Sequence, residues 1–167
     1  MGIELGLTWQ VSDYLQIAAA YGYIDAEWDS NTALPDGSAN IGGQTPPQII
    51  ENSTTVTANF QMPAFGDFDL IANLQLSHNG TMEGGKPSGG TVENPDFTVM
   101  DIQVGLTSDN WELMLNLDNA FDERYYTDVE PFPNFGFGGL IGTEPAEIII
   151  GTHGHPRLFT ASATYRF

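Results

Sequence analysis

The residues most capable of chemistry include a pair of histidines, His153 and His155, that are separated by one glycine. Imidazole pairs can bind zinc, copper or iron, and an extended backbone would place both rings on one side. Two ligands without a third nearby do not make a metal site, and a histidine in a loop is more often simply solvated. The sequence therefore predicts no metal at this pair.

A second candidate is a run of oxygen ligands at every other position, Asp25, Glu27, Asp29 and Asn31. Calcium accepts carboxylate and amide oxygens at such a spacing. Ser30 stands, however, where an EF-hand loop requires glycine. A salt-adapted acidic surface is the simpler interpretation, so no calcium site is predicted.

Motifs for catalysis are missing from the sequence. It has no Gly-x-Ser-x-Gly elbow and no phosphate-binding Gly-Lys-Ser/Thr, and its three histidines accompany no nucleophile at a known spacing. It has no cysteine, which excludes thiol nucleophiles and iron–sulfur sites. Asp69, Asp101 and Asp118 are interpreted as wetted wall residues. The prediction is a protein that is not an enzyme and has no cofactor.

The overall charge narrows the possible partners. The 167 residues contain 22 Asp and Glu but only 4 Lys and Arg, a net charge of −18. Phosphate would repel such a chain, so nucleic-acid binding is excluded. With 41% apolar residues, the chain has enough hydrophobic side chains for an ordered fold.

These residues must be positioned by strands, because the dominant hydrophobic period is two. Apolar and polar residues alternate in seven segments, residues 3–10, 15–23, 53–61, 68–77, 100–107, 111–118 and 159–167. The links between them alternate in length. Residues 11–13, 62–67 and 108–110 are short links, whereas residues 27–48, 80–95 and 126–154 are long, structureless ones. This pattern predicts an all-β, antiparallel, up-and-down sheet.

The apolar face of this sheet carries aromatic residues near both ends of the strands. Trp9, Phe60, Phe68, Trp111 and Phe167 lie toward the short links. Tyr21, Tyr23 and Phe159 lie toward the long ones. Two aromatic belts around an aliphatic band are typical of an outer-membrane barrel, which is favoured over a soluble sheet.

The last third of the sequence resembles a known family. Residues 110–113 (NWEL) and 116–126 (NLDNAFDERYY), preceded by residues 100–106 (MDIQVGL), resemble the penultimate hairpin of TonB-dependent outer-membrane receptors. Residues 151–159 (GTHGHPRLF) and 165–167 (YRF) resemble their final strand. The Asn-x-x-Asp-x-x-Tyr motif and the terminal Tyr-x-Phe are together fairly specific.

The resemblance implies a transmembrane β-barrel of 22 strands whose lumen is closed by an N-terminal plug domain. Residues 1–167 would be a partial barrel domain, an open fragment with about the last seven strands, without the plug or a signal peptide. The short links would face the periplasm and the long loops the exterior. The implied function is energised uptake of a scarce ligand, such as an iron–siderophore complex, at the outer membrane of a Gram-negative cell envelope.

The resemblance also implies roles for particular residues. Tyr165 and Phe167 would form a C-terminal signal for the barrel-assembly machinery. Asn119, Asp122 and Tyr125 would be structural. From its own residues, a loop with Phe132, Phe135 and Phe137 is the best candidate for contact with an apolar or planar ligand, with packing on neighbouring loops as the alternative. Other partners would be outer-membrane lipid and, only through the missing plug, the TonB complex.

Two alternatives stay open at this point. The chain could be a self-contained β-sheet adhesion or binding module, or a small eight-stranded outer-membrane barrel. The sequence does not identify the ligand.

Overall fold

The computed structural model describes residues 1–35, 37, 40–85, 91–132 and 148–167. Eleven β-strands occur in this part of the chain: β1 (Gly2–Ser12), β2 (Leu15–Ile24), β3 (Asn52–Phe65), β4 (Phe68–Asn79), β5 (Met82–Gly85), β6 (Thr91–Asn94), β7 (Phe97–Thr107), β8 (Trp111–Asp118), β9 (Tyr126–Phe132), β10 (Ile148–His153) and β11 (Leu158–Tyr165). Among the same residues, no helix is long and apolar enough to cross a bilayer.

Seven of these strands form one open antiparallel sheet in the order β1-β2-β3-β4-β7-β8-β11. Each strand pairs with the preceding strand of this sheet, so the chain meanders up and down as the alternating links predict. All seven predicted strands and the all-β antiparallel fold are confirmed. The period-two pattern succeeds because an antiparallel sheet with two different faces needs one residue type on each face.

The expectation of structureless long links is wrong in two places. β5 pairs with β6, and β9 pairs with β10, each as a small separate hairpin. These strands have four to seven residues, which is too short for a clear alternation.

The last strand also ends earlier than predicted. β11 stops at Tyr165, and the backbone N–H of Arg166 donates to the carbonyl of Asn110 in the β7–β8 turn, at 2.8 Å. Phe167 therefore lies beyond the strand.

The strands are staggered along the sheet. One rung of paired residues joins Trp9, Ile17, Ala58, Leu74, Ile102, Leu117 and Phe159, with one residue on each strand. Trp9 lies seven residues after the start of β1, whereas Phe159 lies one residue after the start of β11. From β1 to β11, the residues of this rung therefore lie progressively nearer the long-link end of their strands. Strands of a barrel tilt and stagger in this way.

The sheet has no layer packed on its apolar face in the described part of the chain. Ile3, Leu5, Leu7 and Trp9 are each more than half exposed. Met82 and Val129 are the buried hydrophobic residues here, and both belong to the small hairpins rather than to the sheet. A soluble sheet would bury its apolar face, so this face is built to contact something else.

The long links contact each other at one end of the sheet. Gln48 of the first link donates its backbone N–H to the carbonyl of Glu83, and Ile50 forms a bridge with Met82. Asn94 donates its side-chain amide to the carbonyl of Tyr126 at 3.0 Å. We call β5, β6, β9, β10 and residues 44–51 the loop layer.

Candidate functional site

The aromatic residues predicted as the short-link belt follow an oblique line across the apolar face. Trp9 on β1 lies on the rung described above, and Phe60 lies two residues nearer the short links than Ala58 of that rung. Trp111 and Tyr165 pair with each other. Each lies six residues nearer the short links than the rung residue of its own strand, Leu117 or Phe159. From β1 to β11 the line therefore shifts by about one residue per strand. We call it the lower aromatic row.

The aromatic residues near the long links follow a parallel line. Tyr21 and Tyr23 on β2 lie four and six residues beyond the rung, and Phe159 on β11 lies on it. This upper aromatic row also shifts by about one residue per strand. Strands 4.8 Å apart with a tilt near 40° require about that shift if each row is to stay at one height. The two rows therefore mark two parallel planes.

Of the two remaining predicted aromatics, Phe167 lies close to the line of the lower row, whereas Phe68 lies six residues from Leu74 of the rung, about three residues beyond the line. Phe68 begins β4, and its ring lies 5.7 Å from that of Phe65, which the sequence pattern missed. Phe167 follows β11, is fully exposed, and meets Tyr165 edge to face at 5.0 Å. Tyr165 in turn lies 4.8 Å from Trp111.

The opposite, polar face carries one uncharged hydrogen-bonding residue at the same level of every strand. The rung consists of Gln10, Gln16, Asn59, Asn73, Gln103, Asn116 and Thr160. We call it the amide rung. Gln103 is its centre, because it accepts from Asn73 at 2.9 Å and donates to Asn116 at 2.7 Å. Asn116 continues the chain by donating to the Thr160 hydroxyl at 3.1 Å.

The three carboxylates interpreted as wall residues lie in this sheet, each near amide groups. Asp69 accepts from the Gln61 side chain at 3.0 Å, and Asp101 accepts from the backbone N–H of Asn119 at 2.8 Å. Asp101 and Asp118 also line a recess of about 330 Å³ with Tyr125 and His155. The residues that line this recess include no serine, threonine or cysteine.

Asn119 ties together the two ends of the third long link. Its side chain is almost fully buried, with 3% exposure, and donates to the carbonyls of Glu123 at 2.9 Å and His155 at 3.0 Å. The side-chain oxygen of Asn119, Oδ1, accepts from the backbone N–H of Glu123 at 2.9 Å. Asn119 has φ of +49° and Asp122 of +57°, a region that asparagine and aspartate adopt more readily than most residues.

Asp122 and Tyr125 complete this closure, which we call the loop neck. The Asp122 carboxylate lies 3.1 Å from Arg157 Nη2. The Tyr125 ring stacks on Phe97 with ring centroids 4.3 Å apart, and it also lies against Gly154, where a Cβ would overlap the ring. The structure thus brings together the three residues of the Asn-x-x-Asp-x-x-Tyr motif. Phe97 and Gly154 are partners that the motif alone could not identify.

The C-terminal residues are held by the β7–β8 turn. The Asn110 side chain donates to the carbonyl of Arg166 at 2.9 Å, in addition to the backbone bond between the same residues. Arg166 Nη2 lies 2.6 Å from Glu112 Oε2. We call these contacts the C-terminal clasp, and they place Phe167 beside Tyr165 at the lower aromatic row.

The metal-ligand candidates are not brought together. His153 lies in β10 with its ring 4.4 Å from that of Tyr126, while His155 lies outside any strand near the loop neck. Asp25, Glu27 and Asp29 are each exposed to solvent. Within the described ranges, no three His, Cys, Asp or Glu residues form a group that could hold a metal ion.

The predicted ligand-contact loop is described only at its start. The backbone of Phe132 ends β9 and pairs with Ile148 of β10. Phe135 and Phe137 lie outside the described residues. Next to this segment, Gln48 Nε2 donates to Glu130 at 3.2 Å, within the loop layer.

Comparisons with known proteins agree with these structural observations. The family model described as TonB dependent receptor-like, beta-barrel, matches residues 1–120. A curated relative, the ferric-pyoverdine M114 receptor PbuA of Pseudomonas sp. (strain M114), is 26% identical over 145 residues, which cover 80% of this chain and 16% of the relative.

Two solved structures share the fold. The siderophore receptor PiuA from Acinetobacter baumannii superposes with a TM-score of 0.68 at 19% identity, over 98% of this chain and 21% of its own. The ferric-catecholate import receptor Fiu from K12 E. coli, in its closed form, gives a TM-score of 0.60 at 20% identity, over 99% of this chain and 20% of its own. The chain thus spans about a sixth to a fifth of the length of these relatives.

Proposed function

The chain belongs to the TonB-dependent receptor β-barrel family, and we propose that it forms part of the wall of an outer-membrane receptor that takes up an iron–siderophore complex. The family consists of transport receptors of the outer membrane rather than enzymes. The observation that carries the proposal is the uncovered apolar face of the sheet, bounded by the two aromatic rows.

The position of the membrane along the strands follows from these rows. Aromatic girdles mark the two interfaces of a transmembrane barrel, with aliphatic side chains between them. Leu74, Ile102 and Leu117 lie between the rows and would contact hydrocarbon. The amide rung, on the opposite face, would contact the lumen. Outer-membrane barrels have short turns on the periplasmic side and longer loops outside, so the short links would lie in the periplasm and the loop layer outside the cell.

Residues 1–167 supply one section of this wall. Seven strands with a free edge on each side leave backbone groups that hydrocarbon cannot satisfy, so we infer that further strands complete the barrel. A sheet that matches a fifth of the length of the solved receptors supports this inference. Contact with TonB would pass through a plug domain that these residues do not contain.

The siderophore is proposed from the relative. PbuA is named for ferric pyoverdine and is 26% identical to this chain. The loop layer, at the exterior end of the lumen, is the proposed contact region, together with the aromatic segment of Phe132, Phe135 and Phe137 that the sequence predicts for ligand contact. Tyr165 and Phe167 are the proposed signal for the barrel-assembly machinery, presented by the C-terminal clasp.

An uptake experiment tests the proposed function. The complete receptor that carries this chain would be expressed in a strain without its own siderophore receptors, in the presence and in the absence of TonB. Cells would receive a panel of siderophores loaded with radioactive iron, including a pyoverdine and a catecholate. We expect TonB-dependent accumulation of iron from at least one siderophore. Equal accumulation with and without TonB, or none with any siderophore, would contradict the proposal.

A further inference from the structure

The residues that follow β11 are held by a neighbouring turn rather than by the ladder of the sheet. β11 ends at Tyr165, yet both backbone groups of Arg166 are hydrogen-bonded. Its N–H donates to the carbonyl of Asn110 at 2.8 Å, and its carbonyl accepts from the Asn110 side chain at 2.9 Å. One residue of the turn therefore fixes a segment that would otherwise fray beyond the strand.

The turn between β7 and β8 is itself fixed by local hydrogen bonds. The backbone N–H of Ser108 donates to the carbonyl of Trp111 at 2.8 Å, and the N–H of Trp111 donates to the Ser108 hydroxyl at 3.1 Å. These bonds join residues three positions apart, so the turn needs no contact with β11 in order to form. Asn110 can therefore be in position before Arg166 reaches it.

The side chain of Arg166 determines which face Phe167 joins. Arg166 Nη2 lies 2.6 Å from Glu112 Oε2, on the polar face of the sheet. Successive side chains of an extended segment point to opposite faces, so Phe167 is directed to the apolar face. There its ring meets that of Tyr165 edge to face, with centroids 5.0 Å apart, and the Tyr165 ring lies 4.8 Å from that of Trp111. The clasp thus gathers three rings from two strands into one surface.

This three-ring surface is accessible in the described part of the chain. Phe167 is fully exposed, and Trp111 and Tyr165 are each a little under half exposed. The rings lie at the short-link end of β11, whose outer edge pairs with no strand among the described residues. An assembly factor that approaches this edge would meet the rings together with unpaired backbone groups.

We propose that Asn110 and Glu112 are positioning residues of the assembly signal, and that this signal is a surface of two paired strands rather than a linear sequence. The inference rests on the proposed function, which takes Tyr165 and Phe167 as the residues that the barrel-assembly machinery contacts. It adds Trp111 as the third ring of that contact and gives an order of events. β11 pairs with β8, the clasp closes, and only then is the signal complete.

A folding assay of the complete receptor tests the proposal. The double variant Asn110→Ala, Glu112→Ala opens the clasp but keeps all three rings. Its heat-modifiable band would be followed in two kinds of lipid vesicle, with and without purified assembly machinery. With the machinery, we expect folding at least about fivefold slower than that of the unmodified receptor, the factor by which loss of one hydrogen bond commonly shifts an equilibrium. Without it, the rate should stay within about twofold, because contacts that form late change unfolding more than folding.

The matched control removes a carboxylate and an amide from the same polar face of the sheet, on β4. The double variant Asp69→Ala, Asn73→Ala breaks the bond from Gln61 at 3.0 Å and the bond to Gln103 at 2.9 Å. It changes no ring of the three-ring surface and no contact of the clasp. Any change in its folding rate should therefore be the same in both kinds of vesicle.

A combination with Phe167→Leu tests whether the clasp acts through this ring. If Asn110 and Glu112 serve to present Phe167, opening the clasp should not slow a receptor that already lacks the ring. With the machinery, the triple variant should therefore fold at the rate of Phe167→Leu alone. Independent contributions would multiply instead.

The other outcomes separate this inference from the proposed function. Equal slowing of the Asn110 and Glu112 double variant in both kinds of vesicle, or normal folding in both, would overturn the positioning role, as would multiplied effects in the triple variant. Normal folding of Phe167→Leu with the machinery would remove the signal together with this inference. A normally assembled receptor without TonB-dependent uptake would contradict the proposed uptake function alone.

Discussion

Asn119 shows how one side chain can close a long loop. It is buried, and its amide nitrogen bonds two carbonyls that are 32 residues apart along the chain, those of Glu123 and His155. Asn119→Asp would remove both donors and place a negative charge beside two carbonyl oxygens. We expect a loss of about 2–4 kcal/mol at the loop neck, since each lost donor leaves a partly buried carbonyl without its partner and the new charge lies beside both. Limited trypsin digestion should then cut faster at Arg124.

The control for this prediction is Asp122→Asn. The Asp122–Arg157 pair is about half exposed, so removal of its charge should cost less than about 1 kcal/mol. The change keeps an oxygen that can accept from Arg157. Equal trypsin cleavage of the two variants would mean that Asn119 does not hold the neck.

Phe167 gives a second prediction at this scale. Its ring is fully exposed and meets Tyr165 edge to face, so its packing is limited to one side. In the complete receptor, Phe167→Leu should leave the amount of heat-modifiable barrel clearly below normal if the aromatic ring is an assembly signal. Tyr14→Leu changes another exposed aromatic residue near the short links and should assemble normally. Recovery of full assembly with leucine would leave only a packing role, worth about 1.5–3 kcal/mol at most.

The sequence predicted which residues form the loop neck but not what they contact. The family resemblance implied a structural role for Asn119, Asp122 and Tyr125. Tyr125 stacks on Phe97, which lies 28 residues earlier in the chain. A contact between distant segments depends on strand register, which no single-sequence motif contains.

Among the strands, the amide rung connects neighbours through side chains as well as backbone. Gln103 on β7 bonds Asn73 on β4 and Asn116 on β8. Gln103→Leu would break both bonds, and we expect a loss of about 1–2 kcal/mol, because water in the lumen partly satisfies the freed groups. The temperature at which the folded receptor band converts on a denaturing gel should fall.

Gln75→Leu is the matched control for the amide rung. Gln75 lies on β4, on the same polar face of the sheet as Gln103. Its only side-chain bond in the described structure is to Ser77 on its own strand, at 3.3 Å. Both variants exchange glutamine for leucine on the polar face. An equal fall in conversion temperature would show that the cross-strand bonds contribute nothing.

The two faces of β4 give a further prediction. Leu74 lies on the apolar face between Ala58 and Ile102, and Gln75 lies on the polar face. Arginine at position 74 should cost about 2–4 kcal/mol if the residue is near the bilayer midplane. Gln75→Arg should cost far less. Refolding of both variants into lipid vesicles, followed by denaturant titration, measures the difference, and equal costs would exclude a lipid-facing apolar face.

The strands of the sheet could be predicted because each repeats the alternation over eight or more residues. The small hairpins could not, since Met82–Gly85 and Thr91–Asn94 offer only four residues each. The sequence alone also did not show which residues form the rungs. The sequence shows that Gln103 and Asn116 are polar, but the turn geometry decides that they pair.

For the whole molecule, the dominant property is its charge of −18. Carboxylates in the long links or next to them include Asp25, Glu27, Asp29, Glu51, Glu83, Glu93, Asp128 and Glu130. In the proposed receptor they would surround the exterior mouth of the lumen. An anionic ferric siderophore should then associate more slowly at low ionic strength, where charges interact over about 30 Å, than at physiological salt, where the range is about 8 Å.

Stopped-flow binding to the complete receptor measures this effect. From about 10 mM to 150 mM NaCl, the association rate of an anionic ferric siderophore should rise roughly tenfold, since charge at a cleft commonly alters association by such factors. A cationic siderophore should show the opposite trend. A rate that falls with salt for the anionic ligand would show that the basic residues of the mouth, and not its carboxylates, determine the field.

The alternation of side chains between the lipid-facing and polar faces constrains how such a wall can change length during evolution. An insertion of one residue in a strand would transfer every later side chain of that strand to the opposite face. An insertion of two residues in each strand of a hairpin would leave every side chain on its own face and would shift the local part of the aromatic row by two residues along the strands. Homologous sheets should therefore differ in strand length by even numbers, whereas their long links should vary by any number of residues.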